Sequence, residues 1–145
     1  GTAITTGDYN IALGYQALST EDTGERSVAI GHQALRSQNA AGLNYNTAVG
    51  FAAGELINTG IQNTLIGGLA GDALTSGSAN VAVGYLALST EDAHGTNVAV
   101  GFQTLNALNA GVDSYNTAVG ANAGVLVTTG VQNTLIGGLA GDALR

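Results

Sequence analysis

Asn46-Thr47-Ala48-Val49-Gly50 is one of eight copies of a five-residue motif, Asn-x-Ala-aliphatic-Gly, that recur along this chain. Side chains in the motif alternate with a period of two, so that Asn and Ala share one face and Thr and Val share the other. This alternation and the branched aliphatic residue predict a short strand, and the glycine predicts its end. The copies lie at 10–14, 27–31, 46–50, 63–67, 80–84, 97–101, 116–120 and 133–137.

The motif recurs at a nearly constant distance, with closing glycines 17, 19, 17, 17, 17, 19 and 17 residues apart. A fixed period of this size predicts a stacked repeat architecture in which each repeat contacts its neighbours. A helix is disfavoured, because each interior glycine costs about 1 kcal/mol relative to alanine. We therefore predict an all-β fold, a parallel β-roll or β-solenoid of eight coils with 17 or 19 residues each. Each coil is expected to contain two short strands and two turns.

The array also contains a duplication of four coils. Residues 10–79 form one block and residues 80–145 the other, and 41 of 66 aligned positions are identical between 10–75 and 80–145. We interpret residues 1–145 as a single repeat array. Repeat proteins normally carry polar capping repeats, and no such repeat is recognisable here, so we expect the chain to be a fragment of a longer fibre.

Stacking places equivalent motif residues above one another and predicts two structural columns. The closing glycines are expected to form the motif turns: Gly14, Gly31, Gly50, Gly67, Gly84, Gly101, Gly120 and Gly137. The first motif residues are expected to form a ladder of side-chain hydrogen bonds: Asn10, Asn46, Asn63, Asn80, Asn97, Asn116 and Asn133. A ligand-binding role for these asparagines is the alternative.

Composition excludes several functional classes. Ten acidic residues against three basic ones give a net charge of −7, which argues against nucleic acid, whose phosphates require clustered Lys and Arg. No stretch approaches the roughly 18 apolar residues of a membrane span, so no membrane insertion is expected in this segment. Neither face of the motif strand carries charge, and a thin interior of Ala, Gly and Val cannot shield both faces. A partner surface is implied, and a second copy of the chain is the natural partner.

Few residues offer chemistry, and we predict no enzymatic activity, no catalytic residues, no cofactor and no metal site. His32 falls in a column with Tyr15 and Phe51 and is expected to stack as a ring, whereas His94 is expected to be a solvated loop residue. The repeated Ser-Thr-Glu-Asp stretches, 19–22 and 89–92, are expected to be solvated acidic loops. Calcium binding by these loops remains open, because hard cations favour carboxylate oxygens.

The motif resembles the YadA-type head repeats of trimeric autotransporter adhesins, and Ser27-Val28-Ala29-Ile30-Gly31 fits their consensus best. The Asn-Thr-Ala-Val-Gly copies and the stretches Thr-Gly-x-Gln-Asn-Thr-Leu-Ile-Gly are similar to repeats in phage tail fibres. The resemblance spans the whole chain. It implies a left-handed parallel roll in which three chains wind around a common axis, although coils in that family are nearer 14 residues.

The resemblance implies a structural and adhesive segment of a trimeric fibre, extracellular, on a cell surface or on a virion, that mediates host or surface attachment. Its partners would be two further copies in a homotrimer, end-to-end neighbours in a fibre, and an unknown cell-surface receptor or glycan. The loops of the 19-residue coils, 36–45 and 106–115, diverge in sequence and are candidate binding loops.

An ice-binding solenoid acting as a monomer is the alternative function. Such a protein needs a regular ladder of threonines on one exposed face. Thr47, Thr64, Thr117 and Thr134 are aligned in this chain. Ile11, Val28, Val81 and Val98 interrupt that column.

Overall fold

The structure, a computed structural model, describes residues 4–143. This part of the chain consists of strands and turns and contains no helix. Ten strands follow one another along it: β1 (Ile11–Leu13), β2 (Gly24–Glu25), β3 (Val28–Ile30), β4 (Gly42–Leu43), β5 (Thr47–Val49), β6 (Thr64–Ile66), β7 (Val81–Val83), β8 (Val98–Val100), β9 (Thr117–Val119) and β10 (Thr134–Ile136).

The eight motif strands form one parallel sheet in the order β1-β3-β5-β6-β7-β8-β9-β10. Their register aligns motif with motif, so that Ala48 pairs with Leu65 and Leu65 pairs with Ala82. The chain makes about seven turns between the first and last of these strands. The prediction of an all-β, parallel β-solenoid is therefore confirmed.

The prediction of a second strand in every coil was wrong. Apart from β2 and β4, which pair with each other, the segment after each motif glycine consists of turns. Adjacent coils still form hydrogen bonds there: Gln33 N donates to Tyr15 O over 2.8 Å, and Leu18 N donates to Ala34 O over 3.1 Å. The donors Gln33 and Leu18 have positive φ angles, 60° and 50°. Residues with such angles turn the backbone away from the extended conformation that a strand requires.

The interior is a narrow column of small and branched side chains. The third residue of the motif points inward, and Ala29, Ala48, Ala82, Ala99 and Ala118 are fully buried. A leucine four residues after the motif glycine fills the opposite side of the coil in four places: Leu18, Leu35, Leu88 and Leu105. These leucines adopt positive φ, at a cost of about 1–3 kcal/mol each, which burial of the side chain, worth about 2 kcal/mol, offsets.

Large and small residues exchange places in the fourth coil. Leu65 replaces the motif alanine, and glycines stand where other coils place the buried leucine. A Cβ on Gly54 would lie 2.7 Å from Leu65 Cδ1, and a Cβ on Gly71 would lie 2.8 Å from Leu65 Cδ2. The Leu65 side chain therefore occupies the volume that those missing side chains would fill. Leu135 and Gly124 repeat the arrangement, at 2.8 Å.

The motif glycines stack so closely that their column admits no side chain. Gly67 has a φ of +130°, and a Cβ placed on it would lie 2.6 Å from Gly84 O. Gly120 has a φ of +132°, and its Cβ would lie 2.5 Å from Gly137 O. Both the backbone conformation and the approach of the next coil therefore require glycine.

We predict that Gly67→Ala lowers the free energy of unfolding by about 3 kcal/mol, because the methyl group meets a backbone oxygen that cannot move away. The neighbouring Gly68→Ala is the matched control. A Cβ on Gly68 would lie at an ordinary 3.4 Å from the Tyr85 ring, so we expect a change below about 1 kcal/mol. Urea unfolding followed by circular dichroism measures both, and equal losses would contradict this account.

We also predict that Leu65 and Gly71 are energetically coupled. Leu65→Ala should cost about 3 kcal/mol by opening a cavity, and Gly71→Leu alone should cost about 2 kcal/mol by overpacking. The double variant rebuilds the packing of the other coils and should recover at least about 2 kcal/mol of the summed loss. Urea unfolding of all four proteins gives this coupling energy. Strictly additive losses would show that the two side chains do not share one volume.

Candidate functional site

The outward face of the eight-stranded sheet is uncharged along its whole length. Here the term outward sheet face means the second and fourth residues of the eight motifs, which flank the buried third residue. The second residues are Ile11, Val28, Thr47, Thr64, Val81, Val98, Thr117 and Thr134, and the fourth are Leu13, Ile30, Val49, Ile66, Val83, Val100, Val119 and Ile136. Most are half-buried, and Ile66 remains 40% exposed. As expected for so thin an interior, one chain by itself fully buries only the third-residue face.

A column of aromatic rings runs parallel to this face, one residue beyond the motif glycines. The His32 ring stacks between Tyr15 and Phe51, with centroid distances of 5.2 and 5.3 Å. Tyr85 and Phe102 stack at 5.9 Å in the second block. The predicted ring-stacking role of His32 is confirmed. The rings contact each other through their faces and are about half exposed or more, which extends the apolar surface beside the sheet.

The first motif residues form a hydrogen-bonded column inside the solenoid. Asn63 Nδ2 donates to Gly77 O at 2.9 Å and to Asn46 Oδ1 at 3.2 Å, and Asn63 Oδ1 accepts from Asn80 N at 2.9 Å. Both ends of the side-chain amide are thus used within a fully buried environment. The side-chain oxygens of the other buried ladder residues likewise accept a backbone N–H of the next coil: Asn46, Asn80, Asn97 and Asn116.

The acidic loops are not solvated as predicted, because one carboxylate of each pair points inward. Glu21 and Glu91 are fully buried, whereas Asp22 and Asp92 are exposed. Glu21 Oε1 accepts from the backbone N–H groups of Asp22 and Gly24, at 3.1 and 2.7 Å. The oxygens of a buried carboxylate need such donors. The sequence could not indicate this burial, since Glu is almost always exposed.

His94 is also placed differently from the prediction of a solvated residue. Its side chain is 27% exposed, and its Nδ1 lies 3.3 Å from Glu91 Oε1. Glu91, Asp92 and His94 bring one potential metal-ligating atom each to within 4.8 Å of one another. Neither alignment of the two blocks nor motif spacing signals this cluster, because the first block has Gly24 at the position of His94.

Arg26 lies between two tyrosines in a surface cluster that the sequence analysis missed. Its guanidinium carbon is 5.4 Å from the centre of the Tyr9 ring and 5.7 Å from that of Tyr45, and Nη1 donates to the Tyr45 hydroxyl at 2.8 Å. The hydroxyl hydrogen bond raises the pKa of Arg26. All three residues directly precede a motif, so their alignment in one column was the available signal.

A shallow groove of about 520 Å³ crosses the first four coils on another side of the solenoid. Its lining is neutral: Thr20, Ser37, Asn39, Leu56, Asn58 and Thr75. Ser37 and Asn39 belong to the first of the two predicted binding loops. That loop continues into 41–43, which are exposed, as are residues 111–113 of the second loop. The structure therefore places both long loops at the surface.

Comparison with known proteins adds no further identification. No protein-family model, no curated protein and no solved structure matches this chain. Within residues 4–143 no helix is long and apolar enough to cross a membrane.

We predict that Asn63→Ala lowers the free energy of unfolding by about 2–4 kcal/mol, because it leaves Gly77 O and Asn80 N without their partners in the interior. Asn39→Ala is the control, since Asn39 is exposed and its side-chain amide has no hydrogen-bond partner among the described residues. We expect Asn39→Ala to remain within about 0.5 kcal/mol of the parent. Thermal and urea unfolding measure both variants. A loss for Asn63→Ala as small as that of the control would show that the asparagine ladder does not stabilise the fold.

Proposed function

We propose that this chain is a structural and adhesive segment of a homotrimeric fibre, extracellular, on a cell surface or on a virion, that mediates attachment to a host or surface. The observation that carries the proposal is the uncharged outward sheet face. A monomer would leave this stripe of Val, Ile, Leu and Thr in water along its whole length. Long contiguous apolar surfaces on soluble proteins mark interaction sites.

Three copies of the chain can cover this face if their sheets meet around a common axis. The face repeats the same residue types at every level, so each level of one chain meets an equivalent level of the others. The resemblance to trimeric adhesin and tail-fibre repeats supports three copies and a left-handed roll. The column of stacked rings lies beside this face and would extend such an interface, since aromatic residues are enriched in protein interfaces. End-to-end continuation of the same stacking would lengthen the fibre.

Attachment would use the surface that faces away from the trimer axis. The neutral groove offers free hydroxyl and amide groups at Ser37, Asn39 and Asn58, with Leu56 as an apolar contact. Such groups suit a glycan or another uncharged polar receptor. The net charge of −7 disfavours nucleic acid as a partner. The proposal includes no enzymatic activity, since His32 is held in a ring stack and its equivalent in the second block is Phe102.

Ice binding by a monomer is the second candidate, and one observation favours it. Thr47 and Thr64 lie side by side on the outward sheet face, and so do Thr117 and Thr134. Val81 and Val98 separate the two pairs, so the hydroxyl ladder does not run through the sheet. The fibre proposal accounts for the whole face, whereas the ice-binding proposal accounts for half of one column.

We predict that the chain has the mass of three copies in solution and that Val83→Asp converts it to monomers. Three carboxylates brought together in an apolar interface would be desolvated and would repel one another. Thr59→Asp is the matched control, because it adds the same charge at an exposed loop position and should leave the trimer intact. Light scattering on a sizing column measures the mass.

A folded monomer of the parent chain would contradict the fibre proposal. Thermal hysteresis in that monomer would then support ice binding, and its loss in Thr64→Asp would locate the ice-binding face. A dimer would keep the outward sheet face as an interface but would overturn the trimer.

A further inference from the structure

The two acidic loops of the duplicated blocks satisfy their buried carboxylates in different ways. In the first block, Gln38 Nε2 and Asn44 Nδ2 donate to Glu21 Oε2 at 2.7 and 3.1 Å. With the two backbone donors to Oε1, this carboxylate has four hydrogen bonds. The hydrogen-bonding capacity of the Glu21 carboxylate is therefore used within the protein, and neither oxygen is left to bind a cation.

The corresponding carboxylate in the second block has lost both amide donors. Leu108 stands at the position of Gln38, and Ser114 at the position of Asn44. Glu91 Oε2 retains one backbone donor, Ala110 N, at a long 3.4 Å. A buried carboxylate oxygen with so weak a partner is costly unless another positive group approaches it.

The same exchange that removes the amide removes one of the obstacles to an imidazole. A side chain on Gly24 would overlap the Asn44 amide as well as Ala40 O and Glu21 Cδ, so the first block requires glycine there. In the second block the smaller Ser114 replaces that amide, and His94 occupies the position of Gly24. The substitutions at the two positions are thus sterically linked. Together they remove the Asn44 amide from one carboxylate oxygen, Oε2, and bring His94 Nδ1 beside the other, Oε1, which also accepts from His94 N at 3.2 Å.

We propose that Glu91, Asp92 and His94 form a binding site for a divalent transition-metal ion of the zinc class. This set of one imidazole and two carboxylates is a donor combination that zinc uses. Zinc bonds of 2.0–2.2 Å in tetrahedral geometry separate ligand atoms by about 3.4 Å, and His94 Nδ1 and Glu91 Oε1 are 3.3 Å apart. Exposed Asp92 opens the site to solvent, and a water molecule would complete the coordination.

The site has a distinct place in the solenoid. Glu91 contacts Ala110, which belongs to the next coil and leads into its exposed long loop. An ion held at 91–94 would therefore stabilise the junction between two coils. This proposal is independent of the trimer and of the attachment function.

Isothermal titration of the untagged chain with zinc chloride tests the proposal. We expect about one ion per chain, and binding at least tenfold weaker in Asp92→Asn, whose exposed position should leave the fold intact. His94→Gly, which installs the residue of the first block, should abolish binding. His32→Phe is the matched control, since Phe102 is its counterpart, and it should bind zinc like the parent.

A spectroscopic measurement separates ligation from a general effect on the loop. Cobalt(II) in place of zinc should give the visible absorption of a tetrahedral site in the parent and in His32→Phe, and none in His94→Gly. Absence of zinc binding in the parent would overturn the proposal. Unchanged binding in His94→Gly, or tighter binding of calcium that survives this substitution, would also overturn it and indicate a carboxylate-only contact.

Discussion

The close approach of backbone at the motif glycines is the constraint on which the rest of the structure depends. A Cβ on Gly67 would lie 2.6 Å from the carbonyl oxygen of Gly84, so only a residue without a side chain lets the next coil settle at strand-pairing distance. This contact sets the register of the sheet, because a shift by one residue would place a side chain in the glycine column. The asparagine ladder and the ring stack repeat from coil to coil in the same register.

Side-chain volumes in the interior compensate for one another from one side of the coil to the other. Four coils with the motif alanine place a leucine on the opposite side, whereas Leu65, which replaces that alanine in the fourth coil, packs against Gly54 and Gly71. Polar groups in the interior have hydrogen-bond partners. Asn63 and its equivalents form hydrogen bonds from coil to coil, and the Glu21 carboxylate accepts four hydrogen bonds. With so thin a core, the solenoid depends on satisfying these groups as well as on burying apolar surface.

The function that we propose uses the surfaces of the solenoid. One side of each coil presents the uncharged sheet face, which we propose is covered by other copies of the chain. Another side presents a neutral groove and exposed loops, which suit a polar receptor. The two duplicated blocks can be compared position by position, because they share one fold. Glu21 and Glu91 occupy equivalent positions but have different hydrogen-bond partners.

Period and alternation in the sequence alone determined the parallel stack, the positions of the motif strands and the glycine column, since these depend on a short motif that recurs at a nearly fixed spacing. Only the tertiary structure decided which side of the strand is covered and that the segment after the glycine turns through left-handed residues such as Leu18. It also decided that Glu21 and Glu91 are buried and that His94 approaches a carboxylate. The burial of the two carboxylates depends on contacts between coils, such as Asn44 with Glu21, 23 residues apart, whereas the approach of His94 to Glu91 depends on how their loop folds. No local pattern encodes the space or the donors that a neighbouring coil provides.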